Sequence, residues 1–363
     1  MSSRPRLTPA IADVRRAVRE ALAGLPDAPG RVAGPVASAS ATADVLVALS
    51  GGADSLALAA ATAFEAPRAG LRAGAIVVDH GLQAGSADAA ARAAGQAREL
   101  GLDPVIVKTV TVGVEGGPEA AARTARYAAL AEAATELGAS AVLLGHTLDD
   151  QAETVLLGLA RGSGTASLQG MAAVSSVPAV AGARAGTVYL RPLLGIRRAT
   201  TLQACRDAGL EPWHDPQNSD PAFARVRVRE TVLPLLEAEL GPGIVEALAR
   251  TAEQAREDTE ALDHFADEQV EELADHAEAG ISLSVKGLEH NPAALRQRII
   301  RLAVSAEFGV SLSRAQTLEV ARLVTDWHGQ GPLDLPGIRV VRQGALLVFS
   351  ARDRGSNEGI PPA

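Results

Sequence analysis

The chain has 363 residues, 47% hydrophobic and 21% charged, enough for two domains with sizeable cores. Its single cysteine, Cys205, excludes a disulfide framework, a Cys-x-x-Cys redox pair and a cysteine-rich zinc or iron–sulfur site within one chain. The formal charge of −9, from 34 basic and 43 acidic residues, gives no overall sign of a nucleic-acid partner, although a local basic surface can still bind phosphate.

Residues 1–43 read as an amphipathic helix, about Ile11 to Leu22, then a Pro/Gly/Ala/Ser-rich linker from Pro26 to Thr42. We expect a flexible extension here. The N-terminus lacks the apolar run and small-residue cleavage site of a secretory signal. The alanine-rich apolar stretches stop short of the roughly 20 residues of a membrane span. The expected location is cytoplasmic, with no membrane partner. From Asp44 short apolar runs alternate with helical spacing. Candidate strands are Val45–Leu49, Ala73–Val78, Pro104–Val110, Ala141–Gly145 and Val188–Leu190. Candidate helices are Ser55–Phe64, Ser86–Leu100, Pro118–Leu137, Asp149–Arg161 and Arg197–Ala208. Continuous apolar strands separated by helices predict an α/β fold, a Rossmann-like parallel sheet with helices on both faces. A turn-rich stretch, Glu211–Glu230, follows. From Val232 to Asp326 the pattern is helical almost throughout, with breaks near Gly241–Gly243, Gly280–Gly287 and Gly309, and Leu333–Ser350 reads as a strand pair. The expected domains are 44–236 (α/β), 237–352 (smaller, mainly helical, ending in a β-hairpin) and a tail at 353–363.

Ligands of such sheets bind at the carboxyl ends of the strands. The first strand ends in Ser50-Gly51-Gly52-Ala53-Asp54-Ser55 and a helix begins at once. The glycines permit a tight turn, and the helix N-terminus offers free N–H groups, an anion cradle suited to phosphate. No Walker A pattern occurs in the chain. Asp54 beside phosphates calls for a cation, as Mg²⁺ with a triphosphate supplies. The second strand ends at Asp79-His80-Gly81 and the fourth at Gly145-His146. Asp149, Asp150 and Glu153 open the next helix on one face, a clustering of like charge that needs a metal or an ammonium group nearby. Glu119, Arg123 and Arg126 share a face of the third crossover helix. Arg225, Arg227 and Arg229, with Arg191, Arg197 and Arg198 nearby in sequence, form the expected basic surface, whereas acidic Glu253–Glu278 reads as a solvated face.

The blocks SGGADS, VDHGL, EAAARTARYAAL, LGHTLDDQAET, RGSGTASLQGM, RPLL and DPQNSD…FARVRVR resemble, in this order, the N-type ATP pyrophosphatases (PP-loop enzymes). Within that superfamily the chain is similar to the tRNA(Ile)-lysidine synthases of the short type. The match is strong over Asp44–Leu236 and rests beyond it on position and pattern. The resemblance implies an ATP-dependent C–N ligase. ATP adenylates the C2 oxygen of the wobble cytidine in a CAU-anticodon isoleucine tRNA, releasing pyrophosphate. The side-chain amine of free L-lysine then attacks C2 and releases AMP, and the lysidine formed moves codon reading from AUG to AUA. It implies that Ser50–Ser55, Asp79, His80 and Gly145 hold ATP and that Asp54 with Asp149 or Asp150 ligates Mg²⁺. Asp150 and Glu153 would take an ammonium of lysine and Arg123 or Arg126 its carboxylate. His146 is the candidate base, and Arg225, Arg227 and Arg229 would hold tRNA phosphates. A homodimer is an allowed assembly. Three positions depart from the family pattern: Thr147, where many members have a second histidine, Val226, where many have asparagine, and Ala166, where many have arginine or lysine. The competing readings are a related tRNA cytidine thiolase, whose paired cysteines Cys205 alone cannot supply, and an amidotransferase-type synthetase, which shares only the loop. A third is a non-enzymatic ATP- or RNA-binding module, which would release no pyrophosphate.

Overall fold

The computed structural model describes residues 7–25, 43–81, 85–113, 117–162, 164–176, 188–213, 215, 219–277 and 280–352. The expected linker and tail lie outside them. The chain divides into two compact units, Met1–Glu253 and Gln254–Ala363.

The first unit runs α1 (Pro9–Ala23), β1 (Val45–Ala48), α2 (Ala53–Glu65), β2 (Ala73–Asp79), α3 (Ser86–Glu99), β3 (Val105–Thr109), α4 (Pro118–Leu137), β4 (Ala141–Leu143), α5 (Leu148–Arg161), β5 (Val174–Ser176), β6 (Val188–Leu190), α6 (Arg198–Asp207), α7 (Ala224–Arg227), a π-helical turn (Val228–Val232), α8 (Leu233–Leu240) and the start of α9 (Ile244–Leu273). Its sheet has the order β3-β2-β1-β4-β6-β5, parallel except for β5 against β6. Strand order reverses between β1 and β4, so the crevice beyond their carboxyl ends is the switch point where such sheets take ligands. Alternate residues of β1 sort to opposite faces. Val45 and Val47 join the cluster formed with α1, α2, α3 and α6; Leu46 joins Leu130, Ala133 and Ala134 of α4. The expected parallel sheet with helices on both faces is therefore present, with β5 as an antiparallel edge that the sequence pattern did not show.

The N-terminal helix is a structural member of this unit, which corrects the expected flexible extension. Ile11, Val14, Val18 and Leu22 recur at helical spacing and are buried in the cluster shared with α2 and α6. Pro9 opens the helix, where its missing N–H costs nothing. Arg19 clamps the buried carboxylate of Glu65 on α2 with two hydrogen bonds of 3.0 and 3.1 Å.

The second unit holds the rest of α9 with β7 (Ala274–Ala277), β8 (Gly280–Ser284), α10 (Val285–His290), α11 (Ala293–Phe308), α12 (Arg314–Thr325), β9 (Leu333–Leu335), β10 (Ile338–Gln343) and β11 (Leu346–Ala351). Its strands form an antiparallel sheet, β7-β8-β11-β10-β9. The expected hairpin is β10–β11, but it is the middle of a five-stranded sheet. Ile281 and Leu283 of β8 point into the core with Phe349 and Leu347, so the break expected near Gly280–Gly287 holds a strand. The compact units divide within α9, beyond the expected boundary at 236/237. Val245, at the start of α9, is buried with Ala152, Val228 and Leu233 of the first unit.

Because α1 closes the α/β core, Leu22→Ala is expected to destabilise the protein by about 2–5 kcal/mol. Urea unfolding measures this; an unchanged midpoint and slope would return residues 9–23 to the status of an appendage.

Candidate functional site

The loop after β1 is shaped by its own hydroxyls. Ser55 Oγ accepts from the Ser50 backbone N–H at 3.2 Å, donates to the Gly52 carbonyl at 3.0 Å and lies 3.1 Å from Ser50 Oγ. Gly51 has φ of 83°, a left-handed conformation natural to glycine. Gly52 caps α2 without any side-chain bond to the first turn, leaving its N–H groups for an anion. The end of β4 packs directly on this loop. A Cβ on Gly145 would stand 3.0 Å from Ser55 N and 3.1 Å from Ser55 Cα, so any larger residue would press on the loop backbone, which would have to give by a few tenths of an ångström. The two strand ends flanking the switch point thus meet at Ser50–Ser55 and Gly145. At the end of β2, Asp79 Oδ1 accepts from the Gly81 N–H at 2.9 Å and fixes that turn.

The carboxylates come together as expected, but their neutralising partners are arginines. Thr147 caps α5, and Asp150 closes a capping box: its Oδ2 accepts from Thr147 N and Thr147 Oγ1, both at 2.8 Å. Thr147 therefore serves as a helix cap. Asp149 reaches across to the next element, where its Oδ2 accepts the Arg198 backbone N–H at 2.7 Å at the start of α6. Glu153 has no exposed side-chain surface and receives Arg229 at 2.7 and 3.1 Å, Arg198 at 3.2 Å and Arg225 at 3.7 Å. Arg198 uses all three guanidinium nitrogens: Nε to Asp54 at 3.3 Å, Nη2 to Asp150 at 2.7 Å and Nη1 to Glu153. Thr201 on the next turn of α6 donates to the other Asp54 oxygen.

Burial raises the carboxyl of Asp54 above its ordinary range, against the pull of Thr201 and Arg198. Burial pushes Asp150 the same way, but Arg198, the two Thr147 donors and His146 overcome it and hold Asp150 low. The same carboxylates outweigh the desolvation of Arg198 and fix it as a cation.

Three expectations are corrected here. The like-charge argument called for a metal or an ammonium group; Arg198, with Arg229, Arg225 and Arg197, supplies the positive charge instead. Asp54 and Asp150 do not fit a magnesium ion as arranged, because their oxygens are engaged by Thr201, Arg198 and Thr147. Among the described residues no group of three or more His, Cys, Asp or Glu side chains is placed to hold a metal. The alternating Arg225, Arg227 and Arg229 do not share one surface. They lie on a helix, so Arg225 and Arg229, four apart, turn inward to Glu153, while Arg227 faces outward and donates to the Pro221 and Ala222 carbonyls. Sequence reasoning placed Arg198 on the basic surface instead of among the carboxylates, and missed Thr201. The available signal was the acidic face itself, which demanded a cation, together with the two arginines opening the helix after the last parallel strand.

The other predicted residues line the β2 and β4 ends. Arg123 and Arg126 lie over the Tyr127 ring, at 4.8 and 5.5 Å, and burial lowers the affinity of Arg126 for its proton. No carboxylate among the described residues pairs with either; the side chain of Glu119 lies outside those described. His80 and His146 each have a buried Nδ1 without a hydrogen-bond partner among the described residues. Burial drives His146 down to about 3, helped by the positive charge of Arg126, Arg191 and Arg123 and opposed by Asp150, so the ring is uncharged at neutral pH. His80 is lowered by burial and by Arg126.

The PP-loop domain model matches residues 30–236 and the TilS substrate binding domain model matches residues 283–346. The tRNA(Ile)-lysidine synthase of Leifsonia xyli subsp. xyli is 65% identical over 306 residues, 84% of this chain and 89% of that one. That of Streptomyces coelicolor is 54% identical over 313 residues, covering 84% of each. Among solved structures, the U34-tRNA thiolase NcsA from Methanococcus maripaludis with its 4Fe–4S cluster superposes with a TM-score of 0.50 at 21% identity, covering 68% of this chain and 79% of that chain, a likeness of fold.

Two measurements probe the site without substrates. Glu153→Gln takes one carboxylate from the half-buried Arg198 and Arg229 and the one carboxylate that Arg225 pairs with among the described residues, and is expected to cost about 1–3 kcal/mol of stability; urea unfolding that does not move would contradict the network. The His146 ring is expected not to titrate between pH 5 and 8 by NMR. Its unfolded value is 6.5 and its folded value about 3, so the unfolded chain binds the extra proton in that window and His146 makes stability rise with pH from about 3 to 6.5.

Proposed function

We infer that this chain, which belongs to the tRNA(Ile)-lysidine synthase family, is an ATP-dependent ligase joining L-lysine to C2 of the wobble cytidine in a CAU-anticodon isoleucine tRNA. The observation that carries this reading is the contact at Gly145, which sets the phosphate-binding loop of β1–α2 against the strand end that leads into the carboxylates of α5.

The N-terminus of α2 and the Ser50–Ser55 loop would bind the nucleotide phosphates through main-chain N–H groups and hydroxyls. Positive charge at that end of the helix stabilises the pyrophosphate as it leaves. ATP would enter as its magnesium complex. Because the oxygens of Asp54 and Asp150 are already engaged, no step is drawn through a protein-bound metal. Arg126, with Arg123, is the candidate to pair bidentately with the lysine carboxylate, since neither has a carboxylate partner among the described residues. Asp150 and Glu153 remain our assignment for an ammonium of lysine. Lysine would have to compete there with Arg198 and Arg229, which hold those oxygens now. His146, uncharged and with a free Nδ1, can accept a hydrogen bond at this edge. A group whose proton affinity is so low is a weak base toward an ammonium. Arg227 is the member of the arginine run left outward for a tRNA phosphate.

Cys205 argues against sulfur chemistry. It is buried under the loop with its thiol donating to the Ala53 carbonyl, and burial lifts it to about 12, which disfavours the thiolate that a thiolase or a cluster would need. Among the described residues no helix is long and apolar enough to cross a membrane. We take the cytoplasm as the compartment, where the tRNA is, and a homodimer as an assembly that this chemistry does not require.

The test is incorporation of labelled lysine into an isoleucine tRNA bearing CAU, with ATP and Mg²⁺, beside a methionine tRNA control. Lysine is expected in the first tRNA alone, with AMP and pyrophosphate released. Pyrophosphate release without lysine would keep the adenylating loop and require a different nucleophile.

A further inference from the structure

Trp213 occupies a place that its apolar bulk does not explain. Aromatic residues make up 2% of the chain and only two are tryptophans, Trp213 and Trp327. Trp213 stands beside the phosphate loop. Its backbone N–H donates to the Gly51 carbonyl at 2.9 Å, and its Cβ lies 3.8 Å from where a Cβ on Gly51 would be. The strand of chain carrying it is fastened a second time, by Gln96 of α3 donating to the Glu211 carbonyl at 3.0 Å. Among the described residues the half-buried indole belongs to none of the four apolar clusters, and its ring N–H has no hydrogen-bond partner. A tryptophan placed for stability packs into a core and finds a partner for its N–H when buried. This one is tied by its main chain to the loop at the end of β1, and its indole lies outside those cores.

We propose that Trp213 is a stacking surface for the nucleobase of a nucleotide brought to this loop. The inference rests on the reading that ATP and a tRNA cytidine meet here. A flat, polarisable ring with only two side-chain torsions stacks on a base at a small cost in rotamer freedom, and every base offers a π face. Bases that undergo chemistry leave their helical stack and are held in part by aromatic side chains. Both the adenine of ATP and the wobble cytosine have the required chemistry, and the experiment separates them.

A Trp327→Phe variant leaves Trp213 as the sole indole, and stacking on it should quench its emission. The variant is titrated with ATP and Mg²⁺ alone and with the CAU-bearing isoleucine tRNA alone. In parallel, KM for ATP and for tRNA is measured in the lysine-incorporation assay for Trp213→Ala and Trp213→Phe. Quenching by ATP with a KM for ATP raised roughly 5- to 100-fold in Trp213→Ala, and largely restored in Trp213→Phe, assigns the stack to adenine. The same pair of results with tRNA assigns it to the cytosine. The proposal is overturned if neither titrant quenches the indole, or if quenching comes without a KM change that phenylalanine restores, as a merely structural tryptophan would give. If the wild-type protein itself incorporates no lysine, the reading of the reaction has failed, and quenching by ATP alone then decides for or against the stack.

Discussion

One fully enclosed carboxylate, Glu153, governs the geometry of this site. Moving a carboxylate out of water costs several kcal/mol after relaxation, and the cost is met only when donors surround it closely. Here three arginines from two separate helical stretches converge on it, Arg198 from α6 and Arg225 and Arg229 from the helix that continues into α8. A buried ion cluster of this kind adds little net stability over an apolar packing of the same volume, but it tolerates only one arrangement. The ends of α5, α6 and α7 are therefore set relative to one another by charge, and Asp54 and Asp150 are set with them through Arg198. The π-helical turn at Val228–Val232 falls where the chain passes this cluster, so the helix departs from regular winding at the point where it delivers Arg229.

Close approach is the second condition, and small side chains provide it. The buried face of α3 consists of Ala89, Ala90, Ala93, Ala94 and Ala97, and the Cβ of Ala93 lies 3.4 Å from where a Cβ on Gly51 would stand. Alanine brings a helix near the sheet and the phosphate loop, yet each buries little area. The core of the first unit therefore depends on the aliphatic stripe of α1, which adds four buried side chains to α2 and α6. The same argument explains why a helix that reads as an appendage in sequence is integral in the fold: α2 is alanine-rich on that side and would otherwise present Ala57 and Ala61 to water.

What the sequence made legible follows from which signals are local. The parallel strands were readable because each is a short apolar run bounded by turns, and the phosphate loop because its residues are contiguous. The edge strand β5 and the strand β8 were not. β5 has only three residues, two of them exposed, and β8 shows its alternation in just Ile281 and Leu283, within a region of helical spacing. The arginine run misled for a related reason. Arg-Val-Arg-Val-Arg has the period of a strand, in which all three arginines share a face, but the helix it forms sends the outer two inward and the middle one out. Arg198 was hidden by distance: the acidic cluster demanded a cation, and nothing local to Asp149–Glu153 says that it arrives from a helix 45 residues later.

The choice of arginine over lysine follows from the same chemistry. Only Lys108 and Lys286 are lysines among 34 basic residues, a bias that by itself speaks of genome composition. At Arg198 the bias becomes structural, because one planar guanidinium donates through three different nitrogens to Asp54, Asp150 and Glu153. A lysine ammonium is a point charge on a flexible stem and could not hold three carboxylates of two helices in fixed directions. The one lysine of the α/β sheet, Lys108, sits instead in a looser pairing with Glu132 and Glu136 near the surface, where direction matters less. Arg197, Arg198, Arg225 and Arg229 are all engaged by the chain's own carboxylates, whereas Arg123, Arg126 and the outward Arg227 have no carboxylate partner among the described residues. The guanidinium groups that fix the carboxylates are thus distinct from those left without one, and the division follows from which arginines α6, α7 and the π-helical turn direct toward Glu153.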